Sequence, residues 1–200
     1  MSSINGGKYG FTGLFPLRGD IDHVALRRIL REMDRHPRGS PLSAVPIIHM
    51  ARLVIIDDLP FQGDPAKLDR LKSAYLLFAC DFDGDDPDQL VVALADGAQQ
   101  TLVQVWSNCR GFPGLPPGQG RPGRGNLCDY FKRCQLQTNL LLADQPDATL
   151  PEIMMALTWR RHFSEFVERH QWIDAARLQQ EFQTMWQTLA AMGAPEPGSM

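Results

Sequence analysis

The residues best suited to chemistry lie in two short runs. In His49-Met50-Ala51-Arg52 an imidazole and a guanidinium share one apolar stretch. Such a pair needs partners wherever it is buried, because an unpaired buried charge is strongly disfavoured. In Asp81-Phe82-Asp83-Gly84-Asp85-Asp86-Pro87-Asp88 five aspartates fall within eight residues. Asp81, Asp83 and Asp85 have the alternate spacing of a calcium loop, but Gly84 comes too early and Val92 stands where a bidentate glutamate belongs. No metal site is therefore expected. His49, Arg52, Asp81 and Asp83 are the candidate ligand-binding residues. The plainer alternative is that Arg52 pairs with Asp57, Asp81 or Asp83, and that the acids complement a helix start.

Two further groups carry redox or cofactor chemistry. His162 lies on a late helix, where it could serve as an axial haem ligand, although its neighbours are charged. Cys109, Cys128 and Cys134 flank a flexible stretch that could bring Cys109 near Cys128 as a thiol pair. Arg110 and Arg133 could lower a thiol pKa there. No Cys-x-x-Cys, no His-Glu-x-x-His and no phosphate-cradling loop occurs. No catalytic residue can be named, so whether the protein is an enzyme stays open at this stage.

These groups must be positioned by regular elements. Residues 8–17 alternate with Tyr9, Phe11, Gly13 and Phe15 on one face, as in a half-buried strand. Asp20 or Asp22 can cap a helix whose stripe is Leu26, Ile29, Leu30 and Met33. Residues 47–57 are the strongest strand. There His49 and Arg52 point to opposite faces unless a bulge intervenes. Residues 73–82 read as another strand. Asp86-Pro87 starts a helix running to about Ser107, with Gly97 inside it. Residues 111–125 hold six glycines and four prolines and predict a mobile loop, a possible lid carrying Arg110, Arg121 and Arg124. Residues 135–143 predict a strand. Thr149-Leu-Pro-Glu152 is a capping-box pattern opening one helix, and a last helix spans about 174–191.

The order strand-helix-strand-strand-helix-strand predicts an α+β domain of ferredoxin-like βαββαβ type, an antiparallel sheet with helices on one face. Two C-terminal helices are added. The domain is expected over residues 1–170, an appended amphipathic helix over 171–192 and a disordered tail over 193–200. One sheet face is left apolar and needs a cover.

The runs FTGLFPLRGD, SPLSAVPIIHMARLVIIDD, YLLFACDFDGD and WSNCRGFPG, with the DATLPEI helix start, resemble an uncharacterised bacterial family. Its marks are His-Phe-Ala-Arg and Asn-Phe-Asp-Gly strand motifs. Here Met50 replaces the aromatic and Asp81 the asparagine. The resemblance spans about residues 8–170 and implies a ferredoxin-like domain of the dimeric α+β-barrel type. It implies no catalytic residue.

Charge and composition bound the rest. The 200 residues carry a formal net charge of −3, with 44% hydrophobic and 22% charged residues, so a packed core is expected. Residues 1–56 hold eight basic and four acidic groups, and the only basic cluster is Arg27, Arg28, Arg31, Arg35 and Arg38. That reads as a solvated helix face, and nucleic acid is not an expected partner. No run reaches a membrane span and no signal-peptide pattern opens the chain, so a cytoplasmic location is expected. The expected function is a binding or accessory module. It would use its open sheet face for self-association as a homodimer, for a protein partner or for a small ligand. The alternative is an oxygen-related enzyme, haem-dependent or cofactor-free.

Overall fold

The computed structural model describes residues 3–34, 40–59, 63–65, 71–115 and 124–195. Four strands form one antiparallel sheet: β1 (Ile4–Asn5), β2 (Lys8–Pro16), β3 (Ile48–Ile56) and β4 (Tyr75–Asp83), in the spatial order β1-β2-β4-β3. Strand β4 runs between β2 and β3 along nearly its full length, with Phe11 opposite Cys80 and Leu53 opposite Phe78. Among the described residues six α-helices accompany the sheet: α1 (His23–Asp34), α2 (Pro87–Gly97), α3 (Gln99–Trp106), α4 (Gly125–Cys134), α5 (Leu150–Arg169) and α6 (Ala175–Ala191).

Alternation in the strands decides which face is the core. Tyr9, Phe11 and Phe15 from β2 and Leu76, Phe78, Cys80 and Phe82 from β4 are buried on one face. Helices α1 to α4 add Leu26, Leu90, Leu94, Leu102, Trp106 and Phe131 to that cluster. Its centre is aromatic: Trp106 meets Phe15 and Phe78 edge-on at 5.7 and 5.2 Å, and Phe131 meets Phe15 edge-on at 5.0 Å. Edge-on pairs place the positive ring edge on a negative face, which adds to burial.

Three expectations are corrected. The fourth strand of the sheet is the short N-terminal β1; residues 135–143 form no strand, so the βαββαβ order is not the observed one. The 135–146 segment does run back beside β2, but with only scattered hydrogen bonds, such as Leu136 N–H to Thr12 O at 2.7 Å and Gly7 N–H to Pro146 O at 2.9 Å. β1 already occupies the outer edge of Lys8 and Tyr9. Second, residues 125–134 form helix α4, within the expected loop and cysteine stretch, and bury Leu127, Cys128, Tyr130 and Phe131. Third, the expected long helix breaks at Ala98 into α2 and α3. The carbonyl oxygen of Ala44, in the 3-10 turn Pro41–Ala44, lies 2.6 Å from where a Cβ at Gly97 would sit. Only glycine admits that approach.

The helix starts follow local chemistry. Asp22 Oδ1 accepts from the Val24 and Ala25 amides at 2.8 and 3.1 Å. Asp86 accepts from Asp88 N–H at 3.0 Å with Pro87 behind it. At the head of α5 the Thr149 N–H donates to Glu152 at 2.7 Å, as the capping pattern predicts. Residues 116–123 of the expected loop and 196–200 of the expected tail lie outside the described residues.

Candidate functional site

The side chains with chemical potential gather on the sheet face opposite the core. Ile48 pairs with Phe82 and Met50 with Asp81, so His49 is an extra residue in β3, a β-bulge. The bulge is the condition under which His49 could join Met50 and Arg52 on one face. Its imidazole meets Asp83, Nε2 to Oδ1 at 2.7 Å. Nδ1 makes no hydrogen bond among the described residues.

Asp83 is the centre of a small network. Lys8, opposite it in the β2–β4 ladder, donates to Asp83 Oδ1 and to the Ala148 carbonyl. The Leu150 amide, at the first turn of α5, donates to Asp83 Oδ2 at 2.7 Å. The network therefore joins β2, β3, β4 and the N-terminus of α5. Burial is the largest single influence on the Asp83 carboxyl and disfavours its charge. The Leu150 amide, Lys8 and His49 together outweigh that and hold the group below its ordinary value. The positive end of the α5 dipole acts in the same sense.

Over this network lies a groove of about 570 Å³. Lys8, His49, Met50 and Asp81 line its sheet side. Leu141, Leu142 and Ala143 form one wall, and Ile153, Ala156, Leu157 and Arg160 of α5 form the other. Gly10 permits this packing: a Cβ there would stand 2.8 Å from a Leu141 methyl. Met50 is 65% and Leu142 86% exposed, so large apolar groups stand open at the mouth.

The candidate residues divide as follows. His49 and Asp83 are in direct contact, and Asp81 lines the same groove. Arg52 is exposed on that face, opposite Ala79, and makes no ion pair among the described residues. The expected pairing of Arg52 with Asp57, Asp81 or Asp83 is thus corrected. Asp57 is held by Arg27 at 2.7 Å instead, which lowers its pKa. The other aspartates are spread among separate tasks: Asp85 with Gln89 at 3.1 Å, Asp86 capping α2, and Asp88 with Lys132 at 2.8 Å. His162 lies away from the groove, between α5 and α6 beside Glu165, Arg169 and Glu181.

The cysteines sit on the core side of the sheet. Burial pushes the Cys109 thiol up to about 12, and neighbouring Cys134 adds to this. Cys134 is raised too, chiefly by burial. Cys134 is thus a thiol whose proximity acts on Cys109. Tyr130 lies beside both. The described ends of the loop belong to this side as well. Phe112 packs edge-on against Tyr130 at 6.0 Å, Arg110 donates to Leu17 O at 3.0 Å, and Arg124 pairs with Asp96 at 3.2 Å. These two arginines anchor the loop ends and do not face the groove. Arg121 lies outside the described residues.

Lys8, Arg160 and the Leu141–Ala143 wall were not legible as site residues. Lys8 precedes the Tyr9-Phe11-Phe15 alternation, and that alternation was the available sign that it points away from the core. Its pairing with Asp83 depends on strand register. No family model, curated protein or solved structure matches the chain. No helix among the described residues is long and apolar enough to cross a membrane.

Proposed function

We propose that the protein is a binding module whose site is the groove over Asp83, and that its ligand is a small molecule with an apolar body and one polar end. The carrying observation is the pairing of apolar walls with one polar floor. Leu141, Leu142, Ile153 and Leu157 surround the body, while His49, Asp81 and Arg160 supply the polar contacts. A pocket of several hundred Å³ with few convergent polar groups is the usual form of a small-molecule site. The ferredoxin-like kinship and its dimeric α+β-barrel relatives belong to the same proposal. The β2-β4-β3 order, with the later strand inserted between the earlier two, supports it.

The probe is 1-anilinonaphthalene-8-sulfonate, an apolar dye with an anionic end. Its fluorescence should rise on binding, and Met50→Asp or Leu142→Asp should weaken binding at least about tenfold, the loss of roughly 1.4 kcal/mol. Both side chains are largely exposed, so the fold survives the change. Equal binding by both variants and the parent chain would sink the proposal.

One observation favours a second reading, a cofactor-free enzyme. Asp83 holds His49 through Nε2 and leaves Nδ1 without a hydrogen-bond partner among the described residues, the geometry an oriented general base requires. In that reading His49→Ala abolishes turnover of a bound substrate while its binding changes only a few-fold. Parallel losses of binding and turnover would refute it.

A further inference from the structure

The groove over the sheet holds one charge that the chain does not answer. Asp81 lies on the central strand β4, with Gly10 opposite it on β2 and Met50 opposite it on β3. Opposite residues share a sheet face, so these two set the immediate surroundings of its side chain. Neither offers a side-chain donor. Above Gly10 the space is taken from a distant segment: a Cβ there would meet a Leu141 methyl at 2.8 Å and Asp81 Oδ1 at 3.5 Å. The carboxylate is therefore flanked by a leucine and a methionine. It lines the groove, is half-buried, and its side chain makes no hydrogen bond or ion pair among the described residues.

The donors around it are either committed or out in water. Lys8 donates to Asp83 and to the Ala148 carbonyl, and His49 is held by Asp83 through Nε2. Arg160 on the α5 wall and Arg52 on β3 are exposed and make no ion pair among the described residues. The two kinds of free charge are not equal as ligand contacts. An exposed guanidinium keeps its water and gains little from an added anion. A half-buried carboxylate between apolar side chains has lost part of its water, and a charged donor restores the most. Lys8 and Asp83 neutralise one another, so Asp81 is the charge the floor has left to offer.

We propose that the polar end of the ligand is cationic, an amine protonated at neutral pH on an apolar body, and that Asp81 receives it. This rests on the groove being the ligand site and names the class of molecule it takes. Leu141, Leu142, Ile153 and Leu157 cover the hydrocarbon, and the ammonium supplies the donor that Asp81 lacks. A carboxylate on the same body would meet Asp81 as a like charge and is disfavoured.

Three probes with one body and different ends separate the two parts of the site: 1-naphthylmethylamine, 1-naphthalenemethanol and 1-naphthoic acid. The neutral alcohol reports on the apolar walls, and the ratio of amine to alcohol reports on Asp81. In calorimetric titrations at neutral pH the amine should bind at least about tenfold tighter than the alcohol, and the acid more weakly than either. Asp81→Asn should remove the advantage of the amine and leave the alcohol within about twofold. It should also tighten the sulfonate dye, whose charge the carboxylate repels, whereas a damaged fold would weaken every probe. If circular dichroism shows that Asp81→Asn does not fold, Met50→Lys decides: it places an ammonium opposite Asp81 at an exposed position and should likewise remove the advantage. Leu142→Asp should weaken the alcohol about tenfold. Equal binding of amine and alcohol by the parent chain, with the alcohol still weakened by Leu142→Asp, overturns the amine assignment and leaves the groove standing. So does tightest binding of the acid, or an amine preference that survives loss of the Asp81 charge. An alcohol that does not bind, or that binds Leu142→Asp as well as the parent chain, overturns the groove and the assignment with it.

Discussion

Asp83→Ala tests the node that ties the sheet to α5. The change removes the acceptor of His49, of the Leu150 amide and of Lys8. The Lys8 side chain is only 5% exposed, so its ammonium keeps the Ala148 carbonyl but loses its counter-charge in a dry place. Breaking a buried pair by removing one partner costs about 3–5 kcal/mol. In a chain of this length each kcal/mol lowers the melting temperature by about 2–4 °C, so a fall of roughly 10 °C is expected. Urea unfolding followed by circular dichroism gives the free-energy change directly. Hydrogen exchange at the first turn of α5 should accelerate more than in the core strands, because the Leu150 amide is released. The companion is Lys8→Met with Asp83→Leu, which removes both charges and should recover most of the loss. A loss below about 1 kcal/mol for Asp83→Ala, the level of an exposed pair, would refute the reasoning. A double variant as unstable as the single one would refute it too.

Three further outcomes are expected. The folded-state pKa of Asp83 lies below its ordinary value, so its contribution to stability is present above about pH 4 and is lost as pH falls through the lowered value; Asp57 acts in the same sense through Arg27. Acid titration of Asp83→Asn should show a shallower loss of stability below that pH, and an unchanged slope would count against the network. Gly97→Ala should destabilise by about 1–3 kcal/mol through overpacking against the Ala44 carbonyl, despite alanine's higher helix propensity; a gain in urea stability would contradict the close approach. At neutral pH an aromatic disulfide reagent should react with no more than Cys134 in the folded chain and with all four thiols in urea, because Cys80, Cys109 and Cys128 are buried and Cys109 is pushed up to about 12; rapid labelling of Cys109 would refute this.

Local patterns carried much of the architecture. The three long strands fall within two residues of the alternating runs, because a side-chain period of two survives any tertiary context. The starts of α1, α2, α5 and α6 follow from Asp22, Asp86, Thr149 and Asp174, since a cap is a contact within three residues. His49, Asp81 and Asp83 were legible as candidates because charged groups inside apolar strands demand partners.

Tertiary packing decided the remainder. Helix α4 could not be read beside a stretch so rich in glycine and proline, since its stability comes from burying Tyr130 and Phe131 against strands far off in the chain. The break at Gly97 depends on a carbonyl more than fifty residues earlier. Residues 135–143 have the composition of a strand, but β1 holds part of the β2 edge and no ladder forms. The site shows the same division. Residue types nominated His49 and Asp83, yet only a one-residue bulge in β3 turns the imidazole toward the carboxylate, and only the strand register sets Lys8 opposite them. Periodicity along one segment is a property of that segment; which segments meet, and in which register, is settled by the burial of side chains that lie far apart in the chain.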